Sequence, residues 1–152
     1  TTVRRNTAQY AGTDRVADHS RIRDEQAAVI ATRRACELAV QLRHRLHVLH
    51  VSTGAEVDLL SDAHQVITGE VCPHHLLLST NDYDRLGSLV QMNPSLKTES
   101  DNQRLWQALL DDRIQVVAVE CLQKTFQQLN GHMLGHWEPP CAMPDRERSN
   151  TG

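Results

Sequence analysis

No stretch of this sequence approaches the roughly 18 consecutive apolar residues that a membrane-spanning helix requires. No basic-then-apolar leader opens it either, so neither a membrane span nor a secretory signal is expected. The four cysteines, Cys36, Cys72, Cys121 and Cys141, lack CxxC spacing and read as free thiols of a reducing, cytoplasmic compartment. Charge of neither sign dominates. With a formal net charge of -3 and acidic and basic residues interspersed, the chain carries no nucleic-acid footprint. That balance is silent on which small molecule binds. An initial methionine is also lacking, so Thr1 need not be the first residue of the natural chain.

What is present suffices for one soluble domain with a real core: 152 residues, 39% hydrophobic and 23% charged. Histidine is abundant, at nine, and its placement organises the reading. Two short apolar runs, residues 46–53 (LHVLHVST) and 66–78 (VITGEVCPHHLLL), carry clustered imidazoles and are separated by a helix-like segment. Such a pattern reads as a βαβ unit with parallel strands. In these units ligands gather beyond the carboxyl ends of the strands. His50 and His74 sit at those ends.

In chain order, residues 1 to 20 are polar and aperiodic and are expected to form a loop or irregular arm. From Arg21 to Leu42, Ala27, Ala31, Ala35, Leu38 and Leu42 fall on one helical face, with Ser20 or Asp24 as the N-cap. A strand over Leu46 to Ser52 places Val48, His50 and Ser52 on one face and His47, Leu49 and Val51 on the other. Thr53 with Glu56 predicts a capping box and a short helix. Val66 to Cys72 is the second strand, Leu89 to Met92 a candidate third, and Thr98 with Asp101 another helix start. That helix is expected to bury Leu105, Trp106, Leu109 and Leu110. Ile114 to Val119, the most β-branched run, reads as a strand buried on both faces. Gln123 to Leu129 can form a short helix, and the charged tail 144–152 lacks apolar anchors and is expected to be mobile.

His50 and His74 can approach one another as ligands of a catalytic zinc, which accepts imidazole nitrogen and keeps one position for water. The alternative is two strand-end histidines satisfied by backbone carbonyls. His47, on the opposite face, is expected to pack beneath a helix or to hydrogen-bond outside the ligand shell. His75 points away from His74 if the strand continues. Glu120 ends the last strand, where a carboxylate is expensive to bury unless a metal or donor pairs with it. It is therefore a ligand, a proton-transfer group, or a residue already turned to solvent. Glu70 raises the same question, with an Arg or Lys partner the commoner answer. Asn93, before Pro94, can bind a substrate carboxylate or amide or can simply form a turn. Lys97 and Lys124 are compatible with ligand contact or solvated surface.

Four stretches in this order and spacing carry a resemblance: residues 19–25 (HSRIRDE), 46–53 (LHVLHVST), 69–75 (GEVCPHH) and 92–97 (MNPSLK). Together they resemble the dihydroorotase branch of the cyclic amidohydrolases, from about His19 to Pro144. The resemblance implies a (β/α)₈ barrel with a metal centre at its C-terminal face, and reversible hydrolysis of dihydroorotate to N-carbamoyl-aspartate. It aligns His50 with the family's metal-binding histidine after strand five, His74 with the one after strand six, and Asn93 with a substrate-contacting asparagine after strand seven. The family's proton-transfer aspartate after strand eight is replaced here by Glu120, and neighbouring histidines by Cys121 and Lys124. The strand-one histidine pair and the bridging ligand belong to a half that this sequence does not contain.

The fold expected is thus α/β, about the last four β/α units of a TIM-type barrel. Residues 1–143 form this part and 144–152 the tail. The function implied is dihydroorotase-like cyclic amide hydrolysis in pyrimidine biosynthesis, impaired or absent in the isolated chain. The alternative is a non-catalytic homologue acting as a structural or regulatory subunit. Zinc is the expected cofactor where a complete site can form. The expected partners are a small cyclic amide or ureido acid and a protein, or a second copy, covering the open barrel edges. Neither nucleic acid nor membrane is expected.

Overall fold

The computed structural model describes residues 1–61 and 67–118. The expected irregular arm is corrected at once, because Thr2–Gln9 is a helix (α1) and Asp18–Ile22 a short second one (α2). The Thr1 side chain caps α1 by accepting from the Arg4 amide. Asn6 is buried and its Nδ2 donates to the carbonyls of Arg21 and Ile22 and to Asp24 Oδ2. Polar anchors of this kind leave no hydrophobic periodicity to read.

Helix α3 spans Glu25–Leu42 and starts where Asp24 Oδ1 accepts from the Ala27 amide at 2.8 Å. Arg43, at φ 51°, ends it in the left-handed region. Its buried residues are Thr32, Cys36 and Ala39, whereas Leu38 and Leu42 are exposed. The buried stripe is therefore rotated from the predicted one. A hydrogen bond fixes the rotation: Thr32 Oγ1 donates to Glu56 Oε1 at 2.7 Å across to the next helix.

Strand β1 covers Leu46–Val48, helix α4 Gly54–Ser61 and strand β2 Ile67–Val71. This is the expected parallel βαβ unit, with Leu46 opposite Ile67 and Val48 opposite Gly69. The Thr53–Glu56 box starts α4, because Glu56 Oε2 accepts from the Thr53 amide and Thr53 Oγ1 accepts from the Glu56 amide. Beyond β2 come α5 (Pro73–Leu77), α6 (Tyr83–Leu86), α7 (Glu99–Leu110) and strand β3 (Val116–Val117), which pairs in parallel with β2. The Thr98–Asp101 capping box opens α7 as expected. Leu105 and Ala108 form the buried side of α7, while Trp106 and Leu110 are exposed. Trp106 Nε1 nonetheless donates to the Leu76 carbonyl at 3.0 Å.

The sheet of the described residues has three strands, in the order β1-β2-β3. The candidate strand at Leu89 to Met92 is corrected: Gly87–Val90 is a 3₁₀ turn whose Val90 is buried in a small cluster with Tyr83 and Leu96. His74 and Asn93 both lie between β2 and α7.

Helices cover one face of the sheet. Ile67 and Val71 pack there with Val57, Leu60, Leu105 and Ala108. Gly69 lets α4 come close, since a Cβ at that position would lie 2.6 Å from Leu60 Cδ1. The opposite face presents His47, Thr68 and Glu70. Val116 and Val117, predicted to be buried on both sides, are 40% and 45% exposed. The β-branched run records a strand made for burial on both faces, which the described residues do not complete.

Candidate active site

The site gathers where β1 and β2 end. The first strand stops at Val48, and His50 takes φ 55°, a left-handed conformation uncommon outside glycine. That turn overrides the strand parity that separated His50 from His47. His50 Nδ1 lies 3.1 Å from Glu70 Oε1 and 3.0 Å from Cys72 Sγ. His47 Nε2 lies 3.3 Å from Glu70 Oε2, and its Nδ1 2.8 Å from Thr68 Oγ1. Glu70, buried at 8% exposure, is thus partnered by two imidazoles rather than by the expected Arg or Lys. A carboxylate that takes the proton of one ring nitrogen leaves the lone pair on the other, so donation from Nδ1 to Glu70 would free Nε2 of His50.

His74 and His75 follow Pro73 into α5, so the chain does not stay extended and His75 does not point away. Both are buried, and their rings meet edge-on with centroids 4.2 Å apart. Burial pushes His74 down to about 4 and His75 down to about 3, so both are neutral near pH 7. His75 Nε2 donates to the Pro94 carbonyl at 3.1 Å. The Nδ1 atoms of both are buried and have no hydrogen-bond partner among the described residues. The ligand atoms of Cys72, His74 and His75 lie within 4.8 Å of one another. These surroundings suit His74 to the metal-binding role expected of it.

A cavity of about 400 Å³ opens beside this cluster, lined by Arg23, His50, Glu56, Asn93, Ser95 and Lys97 among others. The expected ligand His50 and the expected substrate contact Asn93 therefore line one cavity. Lys97 is buried, with Nζ donating to the Ser95 carbonyl at 2.8 Å and to Ser95 Oγ at 2.9 Å. Burial pushes its pKa below the usual lysine range, opposed by the nearby Glu56 and Asp101 carboxylates. Its place in the cavity was not legible from Leu96-Lys97-Thr98, because nothing in that pattern tells an inward lysine from an outward one. Cys72 likewise carries no metal-site signal in the sequence, since it lacks a CxxC partner. Glu120, Cys121 and Lys124, together with the tail, lie outside the described residues.

No family model matches the chain. Among curated proteins it is 34% identical over 128 residues to a dihydroorotase of Halobacterium salinarum, covering 84% of this chain and 29% of that protein. It is 42% identical over 77 residues to a dihydroorotase of Staphylococcus epidermidis, covering 49% of this chain and 18% of that one. In structure it resembles the dihydropyrimidinase of Brevibacillus agri, with a TM-score of 0.73 and 26% identity over 79% of this chain and 28% of that one. The L-hydantoinase of Arthrobacter aurescens matches similarly, with a TM-score of 0.72 and 27% identity over 77% of this chain and 27% of that one. The chain thus spans under a third of the length of these relatives. No helix among the described residues is long and apolar enough to cross a membrane. By sequence the chain is similar to one segment of the dihydroorotases, and by fold to the matching segment of the hydantoinases and dihydropyrimidinases, all cyclic amidohydrolases.

Proposed function

We propose that this chain is the C-terminal part of a zinc-dependent cyclic amide hydrolase of the dihydroorotase kind, interconverting dihydroorotate and N-carbamoyl-aspartate in the cytoplasm. One observation carries the reading: His50 and Asn93 line a single cavity at the carboxyl end of parallel strands. The donor set suits zinc, since His50 is oriented by a carboxylate and His74 offers a buried, neutral, unpartnered nitrogen. His50 and His74 are the residues that would hold the ion. When bound, zinc supplies Lewis-acid polarisation of the amide carbonyl.

The chain's own residues then bind and orient. Asn93 hydrogen-bonds the substrate's amide or carboxylate, and Glu70 keeps the His50 ring in its ligating tautomer. Glu120 takes the proton-transfer role of the family aspartate. The residues of the strand-one motif must come from elsewhere, so the isolated chain is impaired or inactive. The exposed Val116 and Val117 favour a second reading, a non-catalytic subunit in which a partner or a second copy covers β3.

The test is zinc-dependent hydrolysis of dihydroorotate by the chain combined with an N-terminal half carrying the strand-one histidines. Turnover that disappears with His50→Ala supports the catalytic reading. A stable complex without turnover supports the subunit reading instead.

A further inference from the structure

We propose that Cys72, His74 and His75 form a thiolate-containing zinc site that is complete within this chain. The proposal rests on the metal-dependent reading only in placing a metal on His74, and because one His74 nitrogen serves one ion, this set is an alternative to the His50–His74 pair. It adds two ligands that the family alignment does not supply.

Three observations converge. The ligand atoms of the three residues lie within 4.8 Å of one another, and the residues are 0%, 4% and 1% exposed in sequence order. In a tetrahedral zinc site, bonds of about 2.3 Å to sulfur and about 2.0 Å to nitrogen set ligand atoms about 3.3–3.6 Å apart. Closure by about 1 Å therefore completes the set. Second, the Pro94 carbonyl can only accept, so His75 Nε2 carries the proton and Nδ1 the lone pair. A backbone carbonyl fixing the far nitrogen is the usual support of a metal-binding histidine.

Third, that His75 Nδ1 and the Nδ1 of His74 are buried without a partner among the described residues. Buried polar atoms are rarely left so, and each calls for an explanation. A metal between them and Cys72 Sγ supplies it. On binding, the Cys72 thiol gives its proton to solvent and the sulfur becomes the anionic ligand. The soft sulfur with two imidazoles selects zinc over magnesium or calcium.

The experiment uses the whole chain and cobalt(II) chloride as a spectroscopic stand-in for zinc. One equivalent should bind with an intense thiolate-to-cobalt charge-transfer band. Cys72→Ser should abolish that band, and Cys36→Ser and the pair Cys121→Ser with Cys141→Ser should retain it. His75→Gln should weaken cobalt affinity at least tenfold. X-ray absorption of the zinc-loaded chain with Cys121→Ser and Cys141→Ser leaves all three proposed ligands intact. It should show one sulfur at about 2.3 Å. Cobalt bound without the band, a band surviving Cys72→Ser, or a shell of nitrogen and oxygen alone would overturn this site while leaving the metal-dependent reading standing. Failure to bind cobalt at all would overturn the site and also remove metal binding by the isolated chain.

Discussion

Glu70 holds His50 by a 3.1 Å contact between Oε1 and Nδ1, and it does so from the neighbouring strand. The left-handed turn at His50 brings the ring back over β2 instead of letting it follow strand parity. One carboxylate then orients two imidazoles, because His47 reaches its other oxygen at 3.3 Å.

Glu70→Gln should therefore weaken zinc binding by about 10- to 100-fold, the range seen when the support of a ligating histidine is removed. Glutamine keeps the shape but loses the charge that favours the ligating tautomer. Competition titration against a chromophoric chelator measures the change. Unaltered affinity in Glu70→Gln, with His50→Ala strongly weakened, would show that His50 needs no such support.

Glu56 should matter for stability well beyond its helix cap. Its Oε2 accepts from the amides of Ser52 and Thr53 and from both hydroxyls, and its Oε1 from Thr32 on α3. Hydrogen bonds to a charged group are each worth about 1.5–3 kcal/mol, though bonds sharing one carboxylate do not add. Glu56→Ala should lower the unfolding free energy by about 3 kcal/mol or more in urea titration. A loss below about 1 kcal/mol, the value of an ordinary cap, would mean that the contacts to Thr32 and Ser52 contribute nothing.

Local chemistry of this kind was legible in the sequence. The boxes Thr53–Glu56 and Thr98–Asp101 and the Asp24 cap each involve residues three apart, so spacing alone predicts them. The βαβ unit was legible because β2 and its approach carry a clear apolar run. What escaped depends on tertiary contacts. The rotation of α3 is fixed by Thr32 meeting Glu56, 24 residues away, and α1 is tied down by Asn6 meeting Asp24, 18 away. The turn at His50 broke the parity argument because a histidine at positive φ leaves no mark in the pattern. The site followed the same division: His50 and Asn93 came from motifs, whereas Cys72, Glu70 and Lys97 needed the fold to bring them in.

Acid should destabilise the metal-free chain in a defined window. His74 and His75 are held down to about 4 and about 3, against about 6.5 in an unfolded chain. Below pH 6.5 the unfolded state takes up protons that the native state refuses. Their contribution is thus fully present above about 6.5 and lost as pH falls towards 4 for His74 and 3 for His75. The slope approaches about 1.4 kcal/mol per pH unit for each histidine. Urea midpoints between pH 7.5 and 5, with chelator present, measure it, and His75→Gln should flatten the profile. A midpoint constant over that range contradicts the buried, neutral state of both rings.

Val116 and Val117, on the last strand of the sheet among the described residues, should drive association. Val116 and Val117 are 40% and 45% exposed on a strand of the kind normally covered on both faces. Sedimentation should show self-association at micromolar concentration, reduced by replacing both valines with lysine, since charge on an edge strand opposes pairing. A compact monomer at all concentrations, unaffected by the substitutions, would mean that this edge is already satisfied within the chain.

The isolated chain should hydrolyse dihydroorotate little or not at all, even with zinc supplied. A binuclear centre of the family type needs the strand-one histidines and a bridging ligand, and the chain spans only 29% of the Halobacterium salinarum relative. Glu120 adds a second deficit. On the proposed reading it takes the place of the family aspartate, and its side chain is longer by one methylene. A misplacement of about 1 Å can cost about a hundredfold in rate. The two deficits separate experimentally. Turnover that appears on adding the N-terminal half alone places the defect in the missing ligands. Turnover that requires both the added half and Glu120→Asp places a second defect at the strand-eight motif. Robust zinc-dependent turnover by the unmodified chain on its own would overturn both, since neither the absent ligands nor the longer carboxylate would then limit the reaction.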